Sequence, residues 1–481
     1  MPIDSADATD GTRRTAPAPA HADVVDVLVV GGGPAGSTAA TLLARAGRSV
    51  VLVDKAEFPR DKCCGDGLTT LALRELEAFG LTPKMVSNWQ TVDAAWLRSP
   101  AGREVRLPLP ANGIFAATTP RRELDSALLK MSRDAGADVR EGCTLTGIDN
   151  LTDRVIAHVT AHTTSHVTSH LASDVTSHLA SDVTSHLASD VTSRLADGPI
   201  AHDGAVTSNR TIAARFVIAA DGMWSPTRKL QGLNVPGYLG EWHAFRQYAR
   251  NITGPAAQRL YVWFEPDLLP GYAWSFPLPG GRANIGFGVL RGSSRRIRDM
   301  SGEWTDLLHR PHIIEALGEG FELEDRHTAW PIPAGINRAT LVAGRTLFVG
   351  DAAMATDTMT GEGIGQAVLT GRLATEALLA GAADLPGGVG QPRIVAEHYR
   401  KAVHSHLMAD HHMSAALGRV LAHRRGTEAA LRLVDLGNWT RTHFARWMFE
   451  DEPRAIALTP TRWHRAMFAR PGPFANWPDP S

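Results

Sequence analysis

Cysteine is nearly absent, three in 481 residues. So small and odd a number excludes a disulfide framework and fits a reducing compartment, so a cytoplasmic protein is expected. Lysine is almost as scarce, six among 49 basic residues. That reads as coding bias rather than recognition chemistry. Neither sign of charge dominates, 49 basic side chains standing against 50 acidic ones. A chain so balanced has no global field for nucleic acid or an anionic membrane, and no nucleic-acid partner is expected. No run of ~18 apolar residues occurs, so no membrane span is expected. Peripheral contact at the inner face of a membrane stays open. Residues 1–23 lack the apolar stretch of a signal peptide and read as a disordered leader. What is present is ordinary: 43% hydrophobic residues and 45 glycines. That composition excludes whole-chain disorder and fibrous classes. The length suggests about three domains or subdomains, with core enough to hold a cofactor.

Ordered structure should begin near Val24. Val24 to Val30 is an apolar run broken only by Asp26, as in a buried parallel strand. Gly31-Gly32-Gly33-Pro34-Ala35-Gly36 follows, then an Ala/Leu-rich helix to Ala46, then Ser49 to Val53 ending in Asp54. In this strand–turn–helix–strand–acid order, Gly31 permits the tight turn and Gly33 lets a pyrophosphate approach the backbone. Gly36 lets helix and strand pack closely, and Asp54 is placed for an adenosine ribose. Ala35 within the turn and Lys55 beside Asp54 join the candidate cofactor contacts. Later, Asp221-Gly222 ends a buried strand from Phe216, and Gly350-Asp351 ends another from Thr346. Gly361-Glu362-Gly363-Ile364 then opens a long helix.

Residues 91–108 read as a hairpin around Ser99-Pro100-Ala101-Gly102. Residues 165–197 repeat Ser-His-Leu-Ala-Ser-Asp-Val-Thr with a period of eight, too short for a solenoid, and read as a tolerated insertion in a hairpin. Residues 240–335 alternate aromatic and β-branched runs with Pro/Gly turns, an antiparallel sheet. Residues 381–393 are a Gly/Pro-rich linker. Beyond it Val395, Tyr399, Val403 and Leu407 recur every four residues, an amphipathic helix. His404 and His411 have no Cys or carboxylate at ligand spacing, so no metal centre is expected.

The stretch from Gly350 to Ile364 resembles the second FAD fingerprint of the glutathione-reductase-like flavoproteins. The whole pattern is similar to the geranylgeranyl reductase family of FAD enzymes. Phe58 to Gly67 (Phe-Pro-Arg-Asp-Lys-Cys-Cys-Gly-Asp-Gly) resembles its Cys-x-Gly loop, with Cys64 at the Cys position. Thr118 to Asp125 resembles its Arg-x-x-Leu-Asp helix start. Pro270 to Pro277 resembles its Tyr-x-Trp-x-Phe-Pro motif, continued by Asn284-Ile285-Gly286-Phe287-Gly288. The likeness spans Val24 to about Leu378 and is closest to the actinobacterial branch, which includes menaquinone side-chain reductases. It implies flavin contact by Arg121, a ribityl bond from Asp351, and a helix N-terminus at Gly361, Gly363 and Ile364 aimed at the flavin N1/O2 edge. It also implies reduction of isolated C=C bonds in a prenyl lipid or quinone.

One departure stands out: the usual proline before Gly361 is absent, and Asp357-Thr358-Met359-Thr360 stands there.

Cys64, Tyr272 and Trp274 are the candidate catalytic residues. A protonated thiol can donate to carbon or touch the flavin edge, and the aromatic strand face can line a dry tunnel or simply be core. The reductant would be NAD(P)H or a protein donor, for no second Gly-rich nucleotide turn is visible. An FAD monooxygenase or halogenase shares the same motifs, and a non-catalytic flavoprotein is a further alternative.

The expected architecture is α/β. A doubly wound, Rossmann-like FAD domain is assembled from 24–90, 121–230 and 341–380. An antiparallel β substrate domain comes from 91–120 and 231–340, and a helical C-terminal region covers 394–481. In that last region Trp439, Trp447, Trp463 and Trp477 with nearby arginines make a candidate peripheral membrane contact, or else pack across the active-site mouth.

Overall fold

The computed structural model describes residues 24–163, 206–292, 300–381, 391–467 and 469–476. The leader, the octapeptide repeat, most of the 381–393 linker and Trp477 lie outside the described residues.

The fold is mixed α/β. Strands Val25–Val30, Val50–Val53, Asp138–Arg140, Thr346–Phe348 and the C-terminal half of Val206–Ala219 lie parallel. The first strand sits centrally, paired with 206–219 on one side and 50–53 on the other. Both faces are covered at the centre of the sheet, so Val27–Val30, Val50–Val53 and Phe216–Ala219 read as unbroken apolar runs rather than alternating ones. Val27 and Val29 pack with Ala39 and Leu43 of helix Pro34–Arg45 and with Leu369 and Leu373 of helix Ile364–Ala380. Leu28 and Val30 face the other way, onto Val155, Ala157 and Val159 of an antiparallel meander. The 206–219 strand serves both layers. Its first half pairs antiparallel with Val155–Thr163, and its second half pairs parallel with 25–30.

A seven-stranded sheet runs in the order 322–332, 242–250, 282–290, 272–278, 260–263, 94–98, 104–108. It is antiparallel except for one pairing: Leu260–Trp263 lies parallel to Ala94–Arg98. A parallel neighbour needs a long crossover, and the intervening chain supplies one. Helices Met300–Leu308 and Pro311–Leu317 cover one face, with Trp304 and Leu317 packed among Phe245 and Phe287.

After the linker, Val395, Tyr399, Val403 and Leu407 are all buried, as the four-residue spacing predicts. Tyr399 Oη donates to the Phe348 carbonyl at 2.7 Å and docks this helix on the parallel sheet. Helices Arg424–Val434 and Asn438–Met448 then lie over the hairpin strands, sharing a cluster with Leu97, Val105 and Leu260.

Candidate functional site

All the candidate residues except Gly36 line one cavity of about 920 Å³ between the two sheets and the C-terminal helices. Gly36 lies beneath it and acts by packing. A Cβ there would fall 1.8 Å from the Gly31 carbonyl oxygen. Gly31 has φ +106° and a Cβ on it would meet the Ala220 carbonyl, so the tight turn requires glycine.

At one end of the cavity Gly33 lies beneath two guanidiniums: a Cβ on it would touch Arg60 Nη2 at 3.6 Å and Arg121 Nη2 at 4.0 Å without clashing. Arg121, at the start of helix Arg121–Asp134, makes a two-pronged pair with Asp125 at 2.8 and 2.8 Å. Burial works against the Arg121 charge, and the Asp125 carboxylate outweighs it. Arg60 Nη1 reaches the same carboxylate at 3.1 Å. Two guanidiniums share one carboxylate, leaving positive charge beside the N-terminus of helix Pro34–Arg45. That is an anion cradle, and it fits a dinucleotide pyrophosphate. Asp54 is buried beside it. Its Oδ2 accepts from Gly32 N at 2.6 Å and Oδ1 from Ala56 N at 2.8 Å, so the acid braces the glycine turn while facing the cavity. Lys55 is exposed at the same rim.

Asp221 is engaged locally. It accepts from the Ser225 hydroxyl at 2.6 Å and Thr227 N at 2.8 Å, capping the short helix Pro226–Leu230 beside Gly222. Asp351 sits in the turn after Thr346–Phe348, with Lys62 Nζ at 3.8 Å, and Lys62 lies 4.1 Å from the Trp330 ring centre. Burial pushes the Lys62 amine below its usual range, against the pull of Asp351. Gly363 and Ile364 open the long helix, but Glu362 Oε1 accepts from Gly365 N at 2.8 Å, so the Glu362 side chain already caps that N-terminus.

Where the family's proline is absent, Asp357 makes the turn. It accepts from Met359 N, Thr360 N and the Thr360 hydroxyl at 3.1, 2.8 and 2.8 Å.

The cavity's far end is apolar. Tyr272, Trp274 and Phe276 alternate along one strand and line it. Ala273, on the opposite face, belongs to the core instead. The Cys loop lies directly on this face: Cβ atoms on Gly65 and Gly67 would come 3.2 and 3.1 Å from the Phe276 ring. Tyr272 Oη donates to the Thr360 carbonyl. Burial pushes the Cys64 thiol up to about 11, against the nearby Arg121.

Sequence reasoning assigned no role to the residue that ties these parts together. Asn284 donates to the Cys64 carbonyl and to Asp66 Oδ2, both at 2.8 Å, and accepts from Trp274 Nε1 at 3.1 Å. Asp66 also accepts from Tyr248 Oη at 2.7 Å. Burial pushes Asp66 up to about 6, against those donors. Arg60, Lys62 and Asp66 lie within the Cys loop motif, which was their signal. Asn284 is 220 residues from Cys64 in sequence, and no local pattern links them.

Leu97 and Val262 of the second sheet, Leu421 and Leu431 of the C-terminal helices, and Phe444 and Trp447 complete the apolar end. Trp447 Nε1 donates to the Arg454 carbonyl at 3.0 Å, so this tryptophan packs inward. Trp439 and Trp463 are exposed.

The family described as FAD binding domain matches residues 24–175. Menaquinone reductase of Mycobacterium tuberculosis is 31% identical over 373 residues, covering 74% of this chain and 77% of that protein. Digeranylgeranylglycerophospholipid reductase of Methanoculleus marisnigri is 27% identical over 362 residues, covering 73% and 75%. A solved geranylgeranyl bacteriochlorophyll reductase-like protein from Thermoplasma acidophilum shares the fold. Its TM-score is 0.68 at 20% identity, over 92% of this chain and 99% of that one.

Proposed function

Because this chain belongs to the geranylgeranyl reductase family of FAD-dependent oxidoreductases, we propose that it saturates C=C bonds in the isoprenoid tail of a quinone, with menaquinone as the first candidate and a geranylgeranyl lipid as the second. The observation that carries this reading is the single cavity. It joins an anion cradle for the cofactor to an apolar, aromatic-walled end in a volume of about 920 Å³.

FAD is the cofactor. Gly31, Gly33, Ala35, Arg60 and Arg121 would hold its pyrophosphate, Asp54 and Lys55 its adenosine end, and Asp221, Gly222 and Asp351 its ribityl side. Gly361, Gly363 and Ile364 would face the flavin. When reduced, FAD supplies the hydride. The chain's own residues do the rest. Tyr272, Trp274 and Phe276 hold an alkene flat and keep water out, so the hydride reaches carbon rather than a proton. Cys64 forms the chamber wall next to the aromatic strand, held there by Asn284. NAD(P)H or a protein donor would reload the flavin from solvent.

We also place a peripheral membrane contact on the helix pair 424–434 and 438–448. Its inner face, with Leu431 and Phe444, lines the cavity, while Leu433, Leu436 and Trp439 are exposed beside it. Such an apolar rim at a tunnel wall suits a substrate drawn from a bilayer.

The test is anaerobic. Chemically reduced holoenzyme is mixed with menaquinone carrying an unsaturated side chain, and flavin absorbance and lipid mass are followed together. Reoxidation with a gain of two hydrogens per turnover is expected. A flavin that stays reduced until air is admitted would instead indicate oxygen chemistry of the monooxygenase or halogenase type.

A further inference from the structure

Saturating an alkene needs a proton as well as a hydride, and the cavity wall holds an acid that the motifs did not assign. Glu362 lines the chamber, and its field acts on both the Cys64 thiol and the Tyr272 hydroxyl. Behind it lie Glu450, just past the helix Asn438–Met448, and Asp357; Asp357 is buried, and so is the Glu450 side chain. Arg454, also buried, is the cation in contact with them. Its Nη2 is 3.3 Å from Glu450 Oε1 and its Nε 3.9 Å from Asp357 Oδ2.

Asp357 also accepts from the Ser414 hydroxyl at 2.6 Å. Against its burial, Arg454 and these donors hold Asp357 below the usual carboxylate range. One guanidinium is therefore shared by Asp357 and Glu450, and Glu362 has no cation in contact with it among the described residues. Arg121 reaches Glu362 only through its field and is already chelated by Asp125. His411 also faces Asp357, and burial pushes it below its usual range, so it adds no charge near neutrality. Three carboxylates, Asp357, Glu362 and Glu450, thus face one guanidinium in contact, and they cannot all ionise at once, so the cluster stores protons.

A second observation points the same way. Gln366, one turn beyond Glu362, is 4% exposed and aims its amide at the cluster. Its Nε2 lies 3.2 Å from Glu450 Oε1, but its Oε1 has no donor among the described residues. A protonated carboxyl is the donor it lacks.

We propose that Glu362 is the catalytic acid that protonates the alkene, and that Glu450 is the positioning residue that refills it. The assignment rests on the reductase reading above. In the step, the C=C π bond breaks. One carbon gains the hydride with its electron pair from the reduced flavin, which is thereby oxidised. The other carbon uses the π pair to take the proton from the Glu362 carboxyl. Glu362 is left as a carboxylate and recovers a proton from Glu450. The Thr69 hydroxyl, which lines the cavity and donates to Glu450 Oε2 at 3.2 Å, connects Glu450 to the chamber. Burial pushes Glu362 up to about 7 and Glu450 up to about 8, a range that supplies protons near neutrality, whereas the Cys64 thiol and Tyr272 hydroxyl hold theirs too tightly.

The test is the pH profile of single-turnover menaquinone reduction by reduced, FAD-loaded holoenzyme, with flavin content measured on each protein. Wild-type rate should fall as pH rises past about 7. Glu362→Gln with full flavin should be slower by about a hundredfold and lose that break. Glu450→Gln removes the refilling acid, so later turnovers should slow more than the first, while the break stays near 7. A Glu362→Gln protein with wild-type rate and profile overturns the assignment. Infrared spectra of the wild type give an independent reading that needs no variant. A protonated-carboxyl carbonyl band that titrates near neutrality is expected, and its absence overturns the proposal. A wild type that never reduces the lipid, with the band present, fails the reductase reading and not the proton store.

Discussion

Gly33 shows how little side chain a cofactor site needs at its centre and how much it needs around it. The residue contributes space, and the charge comes from Arg60 and Arg121, which converge on that space while sharing Asp125. Removing one of two guanidiniums should weaken the cradle without collapsing it, because Asp125 keeps its two-pronged partner. Arg60→Ala is therefore expected to weaken FAD binding about tenfold, the loss of one charge-assisted hydrogen bond, with the fold intact. Titration of the apoprotein with FAD checks this; unchanged affinity would place the pyrophosphate elsewhere. The glycines and Asp54 were legible at this scale because each meets a local backbone demand. Arg60 was visible only as part of a motif, since its partner Asp125 is brought to it by the fold.

At the scale of elements, strand periodicity carried most of the information. The all-buried run Val27–Val30 announces a sheet covered on both faces, and the Tyr272–Trp274–Phe276 alternation announces a two-faced strand. Alternation alone left open whether that aromatic face was core or cavity. The Cys loop packed against it decides, because Gly65 and Gly67 leave room for the ring and hold the wall of a chamber. The parallel pairing of 260–263 with 94–98 was also hidden, since partner choice across so long a crossover has no local signal. The helix pair 424–434 and 438–448 is amphipathic in an unusual sense, apolar toward the cavity and apolar again at Leu436 (73% exposed) and Trp439 (70% exposed). The double variant Leu436→Ser, Trp439→Ser should lower liposome binding by about a hundredfold, in line with two lost apolar anchors, while turnover on detergent-dispersed lipid is retained. Liposome sedimentation checks it, and undiminished binding would move the contact off this pair.

At the scale of the whole molecule, the site is a meeting of distant segments, and its electrostatics have a global consequence. Glu450, Glu362 and Asp66 are held by burial above the ordinary carboxylate range, at about 8, 7 and 6. Each binds its proton more tightly folded than unfolded. Each therefore contributes stability that is full below its unfolded pKa and is lost as pH rises through the folded value. His243, pushed down to about 4 by burial, acts in the opposite sense but only below its ordinary pKa, so it does not oppose the trend above about pH 6.5. Apoprotein stability should thus decline between pH about 6.5 and about 8.5. Glu450→Gln should decline less, its Tm gaining about 2 °C or more on wild type across that interval. Thermal melts at the two ends check it, and parallel curves would mean that Glu450 is ionised throughout.

The cofactor turn, the alternation of sheet and helix, the Cys-Gly loop and the aromatic strand are legible in the chain itself, because each is written in residues close together and answers to local sterics or periodicity. Packing alone brings Arg60 to Arg121 over Gly33, ties Cys64 to Trp274 through Asn284, and stands Glu450 behind Glu362. These are contacts across the chain. Their energy comes from burying charge and hydrogen-bonding groups against partners that only the packed fold brings within reach.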